Sequence, residues 1–143
     1  MKAIPTDPES PDVEIVAVGA HLSGMPLNNQ LTELGARFAR NAHTNANYRL
    51  YSLPGQSIPK PGLIRVLENE GAEIEVEVWR LTPEAFGNFI ATIPAPLCIG
   101  TVILSDGTTA KGFLVESVGL HGAEDISVYG GWRSFMEHVR LTG

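Results

Sequence analysis

The ten residues AEIEVEVWRL, 72 to 81, alternate apolar and charged side chains, and this period of two constrains the chain more tightly than any other stretch. In a strand, Glu73, Glu75, Glu77 and Trp79 share one face while Ile74, Val76, Val78 and Arg80 share the other. Strict alternation is the mark of a half-exposed strand, so the three glutamates are expected to face water rather than gather a metal ion. Such a strand needs partners. LIRVL lies just upstream across ENEG, which reads as a hairpin of the longer-loop kind.

Other segments supply the rest of a sheet. VEIVAV, 13 to 18, is short and β-branched, which suits a strand buried on both faces, and Gly19 closes it. ARFARNAHT and NYRLYSLP read as two more strands, with NAN at 45 to 47 as turn chemistry between them. CIGTVILSDGTTAKGFLVES is a second hairpin, turned at Ser105, Asp106 and Gly107.

Three helices interrupt these strands. In MPLNNQLTELG, Pro26 suits a first turn, Leu27, Leu31 and Leu34 recur at helical spacing, and Gly35 suits the end. TPEAFGNFIATI has Thr82 as N-cap and Pro83 at the first helical position. VYGGWRSFMEHV places Trp132, Phe135, Met136 and Val139 on one face. Hairpins with helices interspersed irregularly do not make a doubly wound sheet, so the class is α+β. The 143 residues suit one domain, 13–143. Residues 1–12, with three prolines and three acids, are expected to form a flexible tail.

Composition excludes several functions. The net charge is −6 and the basic residues are scattered, so nucleic acid is not an expected partner. The N-terminus lacks the apolar core of a signal peptide, and no apolar run approaches the ~20 residues of a membrane span. A cytoplasmic location without membrane association is the expectation. Cys98 is the only cysteine, which excludes an internal disulfide, and it reads as a small buried apolar residue.

The residues suited to chemistry are few. His21 stands just past a buried strand within GAHLSG, where the backbone leaves the ladder and a cleft can form. The amides of Gly19, Ala20 and Leu22 around it could converge on a carboxylate, or His21 could simply hydrogen-bond a neighbouring loop. His43, His121 and His138 show no ligand spacing, so no metal and no cofactor is expected. Ser23 lacks a GxSxG elbow. Tyr48 and Tyr51 fall on opposite strand faces, so at most one lines a given cleft, and Tyr48 is the candidate. Asn28, Asn29 and Lys111 could also meet a small anion, although an exposed hairpin lysine is the commoner case.

Taken in order, VGAHLSGMPLNNQL, YRLYSLPG, KPGLIRV, IEVEVWRL, FIATIPAPLCIGTVILSDG, KGFLVE and GAEDISVYGGWRSF resemble the C-terminal domain of allophanate hydrolase, from about Val13 to Val139. The resemblance implies a γ-glutamylcyclotransferase-like fold, a mixed, barrel-like sheet with helices around it. In that family the domain normally follows an amidase domain with a Ser-cisSer-Lys triad, which makes N-carboxyurea from allophanate; no such amidase domain lies in these 143 residues. The small domain is associated with decarboxylation of N-carboxyurea to urea and carbon dioxide, and His21 matches its implicated histidine.

The cyclotransferases themselves carry a Tyr-Gly-Ser-Leu type loop and a later catalytic glutamate. Here the loop keeps Gly19 and Leu22 around His21, and the later segment, Phe89 to Pro94, holds no carboxylate. An isoleucine cannot deprotonate an amine, so cyclotransferase activity is not expected. The resemblance thus implies a module of urea or allophanate metabolism taking a small carboxylate-containing substrate, with His21 as general acid. The open alternative is an interaction module that binds an amidase partner or forms a homodimer.

Overall fold

The computed structural model describes residues 12–143, so the expected tail lies outside the described residues except for Asp12. In chain order the elements are β1 (Val13–Ala17), α1 (Asn29–Thr32), β2 (Arg37–His43), β3 (Tyr48–Ser52), β4 (Pro61–Arg65), β5 (Glu75–Leu81), α2 (Pro83–Ile90), β6 (Leu97–Ile103), β7 (Thr109–Val115), β8 (Glu124–Asp125) and α3 (Trp132–Thr142). Two 3-10 turns, Ser117–Leu120 and Ser127–Tyr129, flank β8 in a stretch whose sequence shows no periodicity.

β1 lies at the centre of a five-stranded sheet ordered β2-β5-β1-β7-β6, antiparallel to β5 and parallel to β7. Ile15, Val16 and Ala17 are wholly buried, as a central strand of unbroken apolar character requires. The sheet curls so that its two outer strands meet at one end. Thr44 and Leu104 form a bridge there, Asn45 N–H donates to the Ile103 carbonyl at 2.9 Å and Ser105 N–H to the His43 carbonyl at 2.8 Å. The result is barrel-like, though not closed along its length. A smaller sheet, ordered β4-β3-β8, packs beside it.

The predicted hairpin of LIRVL with 72–81 is not formed. β4 pairs with β3, while β5 inserts between β1 and β2. Val76, Glu77, Val78, Trp79 and Leu81 are all buried, which a strand in that inner position achieves and an exposed hairpin arm does not. The predicted β6–β7 hairpin does form, with Gly107 at φ +89° in its turn.

Thr82 caps α2, its hydroxyl accepting from Ala85 N–H at 3.1 Å. α3 buries Trp132 and Phe135 but leaves Val139 42% exposed, so its apolar stripe runs past the core. The first predicted helix shrinks to the four residues of α1, and Pro26 lies outside it. Tight turns precede it, with Met25 N–H on the Leu22 carbonyl and Asn28 N–H on the Met25 carbonyl. Gly35, at φ +84°, ends the segment as expected.

Two side chains depart from expectation here. Tyr48 is wholly buried, and its Oη accepts the Ile103 N–H at 3.0 Å, tying the small sheet to β6. It is a core residue. Cys98 is half-buried rather than buried, and burial followed by the nearby Glu116 charge raises its thiol pKa.

Candidate functional site

β1 ends at Ala17, and the chain turns at once, with Leu22 N–H donating to the Gly19 carbonyl at 3.0 Å. This turn delivers His21 into an aromatic slot, where the residue is only 6% exposed. Its ring stacks on Phe113 of β7 at a centroid distance of 4.7 Å and meets Phe89 of α2 edge-on at 5.3 Å. Nε2 lies 2.7 Å from Gln30 Oε1. An amide oxygen only accepts, so the ring proton sits on Nε2 and the neutral ring keeps its lone pair on Nδ1. Burial pulls the imidazole pKa below its ordinary 6.5; the Gln30 hydrogen bond opposes this and the Lys60 charge adds to it. His21 is therefore neutral at pH 7 when the pocket holds no anion.

The pocket beside it is lined by Val18, Gly19, Ala20, His21, Lys60, Pro61, Leu97 and Phe113, and it encloses about 10 Å³. That is room for about one water. Gly19 is required by close approach: a Cβ there would lie 2.2 Å from Pro61 Cδ and 2.4 Å from Cγ. The Pro61 ring thus seats the β4 segment directly on the His21 turn.

Of the residues the sequence pointed to, Gly19, Ala20 and His21 come together in this pocket. Leu22 does not reach it: its side chain is 2% exposed in the core and its N–H is bound to Gly19. Asn28 donates through Nδ2 to the His21 carbonyl at 2.9 Å, so it holds the turn rather than lining the cavity. Asn29 is exposed and bonds Glu33 at 3.3 Å. Tyr48 is committed to the core, as described. Lys111 is exposed, bonds Thr101 Oγ1 at 3.0 Å and lines a separate shallow groove with Val13 and Glu14. Gln30, Lys60, Leu97 and Phe113 were not singled out by sequence. The one visible signal was Pro59-Lys60-Pro61, a lysine whose backbone is stiffened by the proline after it.

The glutamate stripe is not uniformly wet, contrary to what the alternation predicts. Glu73 and Glu75 are exposed, but Glu77 is 3% exposed and sits in a hydrogen-bonded brace. Its carboxylate accepts from Ser23 N–H at 2.8 Å, Ser23 Oγ at 2.6 Å, Trp79 Nε1 at 3.0 Å and Arg133 Nη2 at 3.0 Å. Arg133 also donates to the Ser23 carbonyl. Burial by itself would raise the Glu77 pKa, but the Ser23 and Trp79 donors and the Arg133 charge outweigh it and hold the carboxyl below its ordinary value. Alternation could not reveal this, because Ser23 in the turn after β1 and Arg133 of α3 cover the outer face of β5 at Glu77, and Trp79 on the same face is buried as well. The brace pins Ser23, two residues beyond His21. Among the described residues no three His, Cys, Asp or Glu side chains cluster as a metal site would need.

Residues 13–137 match the family described as the allophanate hydrolase C-terminal domain. The chain belongs to this family. It is 41% identical over 131 residues to urea amidolyase of Lachancea kluyveri, covering 90% of this chain and 7% of that protein. The structure of Kluyveromyces lactis allophanate hydrolase superposes with a TM-score of 0.87 at 40% identity, covering 90% of this chain and 21% of that one. The chain thus spans a small part of these larger relatives. A uropathogenic E. coli-specific protein matches over 97% of its own length and 89% of this chain, at 33% identity and a TM-score of 0.81. A γ-glutamyl cyclotransferase, 13% identical with a TM-score of 0.54 over 80% of this chain and 69% of its own, shares the fold alone. In this allophanate hydrolase C-terminal domain, the segment from Phe89 to Pro94 brings an aromatic ring to His21. Among the described residues no helix is long and apolar enough to cross a membrane.

Proposed function

We propose that this domain takes part in urea or allophanate metabolism by accelerating decarboxylation of N-carboxyurea, with His21 as general acid. The observation that carries the reading is the buried imidazole in a pocket wall, oriented by Gln30 and the two phenylalanine rings. In the reaction the C–N bond to the carboxylate breaks, its electron pair stays on nitrogen, and that nitrogen takes one proton. Urea and carbon dioxide leave. A neutral His21 cannot give this proton, but a carboxylate arriving beside it favours the imidazolium. Substrate binding would therefore charge the acid, and Nδ1 is the nitrogen left to carry the added proton. Solvent restores the proton after each turnover.

One observation favours a second reading. The pocket as it stands holds about a single water, so without opening it admits no N-carboxyurea. A domain that stays closed would serve instead as an interaction module, binding an amidase partner or a second copy.

The test supplies N-carboxyurea freshly made from allophanate by an amidase domain, then follows carbon dioxide and urea release with and without this protein. Release that rises in proportion to protein concentration supports the enzyme. A rate equal to the spontaneous one leaves the interaction module.

A further inference from the structure

We propose that Lys60 is the carboxylate-binding residue of the His21 pocket, so that the pocket, once opened beyond its present room for about one water, takes small carboxylates in preference to their neutral amides. The inference deepens the function proposed above and rests on that reading for the identity of the natural ligand.

Three observations place Lys60 for this task. It lines the same small cavity as His21, and the remaining lining residues, Val18, Gly19, Ala20, Pro61, Leu97 and Phe113, are all uncharged. Lys60 is therefore the one group there with a fixed positive charge. Its backbone is also held: it lies between Pro59 and Pro61, its carbonyl accepts Leu53 N–H at 3.1 Å, and the Pro61 ring is wedged on Gly19. Finally, no carboxylate among the described residues forms an ion pair with it. A lysine half-buried against apolar walls binds a carboxylate more strongly than one in open water, because screening is weaker there. Its charge also reaches His21, where it disfavours the imidazolium. An anion seated on Lys60 cancels that effect.

Malonamate is the probe, because it replaces the scissile nitrogen of N-carboxyurea with a methylene while keeping the same order of heavy atoms, with the carboxylate and the amide at its two ends. Malonamide is its neutral counterpart. Binding is followed by calorimetry, and the His21 ring by NMR titration, with wild type, Lys60→Met and Lys60→Arg, each first shown to be folded by its amide spectrum. Wild type should bind malonamate at least 10-fold more tightly than malonamide. Lys60→Met should lose roughly 10- to 100-fold in malonamate affinity, the range for one charge-assisted contact, with malonamide unchanged. Lys60→Arg should retain most of the affinity. The free His21 pKa should rise in Lys60→Met. Equal malonamate affinity in wild type and Lys60→Met, or no malonamate binding by wild type, overturns the proposal. Lys60-dependent binding without N-carboxyurea turnover upholds it while sinking the decarboxylase reading.

Discussion

Replacing Glu77 with alanine should cost the domain about 4 kcal/mol, and the structure shows where the loss arises. The carboxylate serves four donor atoms from three residues. Two of them can turn to water once it is gone: the Ser23 hydroxyl, and Arg133, whose side chain is 37% exposed. Two cannot. The Ser23 N–H is fixed by the backbone turn, and Trp79 Nε1 is buried in β5. A trapped donor without a partner costs about 1–3 kcal/mol, so the pair gives about 2–6 kcal/mol. At a urea slope of about 2 kcal/mol per molar, the unfolding midpoint should fall by about 2 M. Glu77→Gln keeps one acceptor and should fall in between. The sign with pH follows from the depressed pKa: the contribution is complete above the ordinary carboxylate range and is lost as pH falls through the lower folded value. A Glu77→Ala variant within about 1 kcal/mol of wild type in urea titrations at pH 7 would show that the brace does not hold the turn.

Gly19→Ala should cost about 1–3 kcal/mol by driving a Cβ into Pro61, and it should shift the His21 ring resonances; unchanged spectra and midpoint would contradict the close approach. Because His21 titrates below 6.5 when folded, the unfolded chain takes up its proton first as pH falls, so neutral His21 favours the fold above pH 6.5 and that contribution is lost as pH falls through the folded value. Urea midpoints at pH 7.5 and 5.5 should separate more for wild type than for His21→Gln, and equal separations would refute this. Phe113→Ala removes the stacked ring, so the His21 pKa should move up toward its ordinary value in an NMR titration; no movement would mean that the ring does not desolvate it.

Local pattern made the central strand, the β6–β7 hairpin, the capped helix after Thr82 and the α3 stripe legible, because each depends on neighbours within a few residues. Strand partners were not legible in the same way. LIRVL and 72–81 are adjacent in sequence, yet which sheet each joins is decided by long-range burial: Gly62 of β4 packs closely on Val115, and β5 needs cover on both faces. The site divides along the same line. His21 was visible because a glycine-bounded histidine after an apolar strand is a local feature. Lys60, just before β4, and Phe113 of β7 reach the pocket through contacts that no spacing records. Glu77 was misread for one physical reason: alternation tells which side of a strand a residue occupies, and the brace with Ser23 and Arg133 buries the side expected to be wet.

The most direct measurement compares carbon dioxide release from N-carboxyurea by wild type and His21→Ala, each corrected for the spontaneous rate. Loss of a general acid should lower the protein-dependent rate by about 10²- to 10⁴-fold, with the variant still folded. A folded His21→Ala protein that matches wild type would show that the proton comes from elsewhere, and the role given to His21 would be wrong.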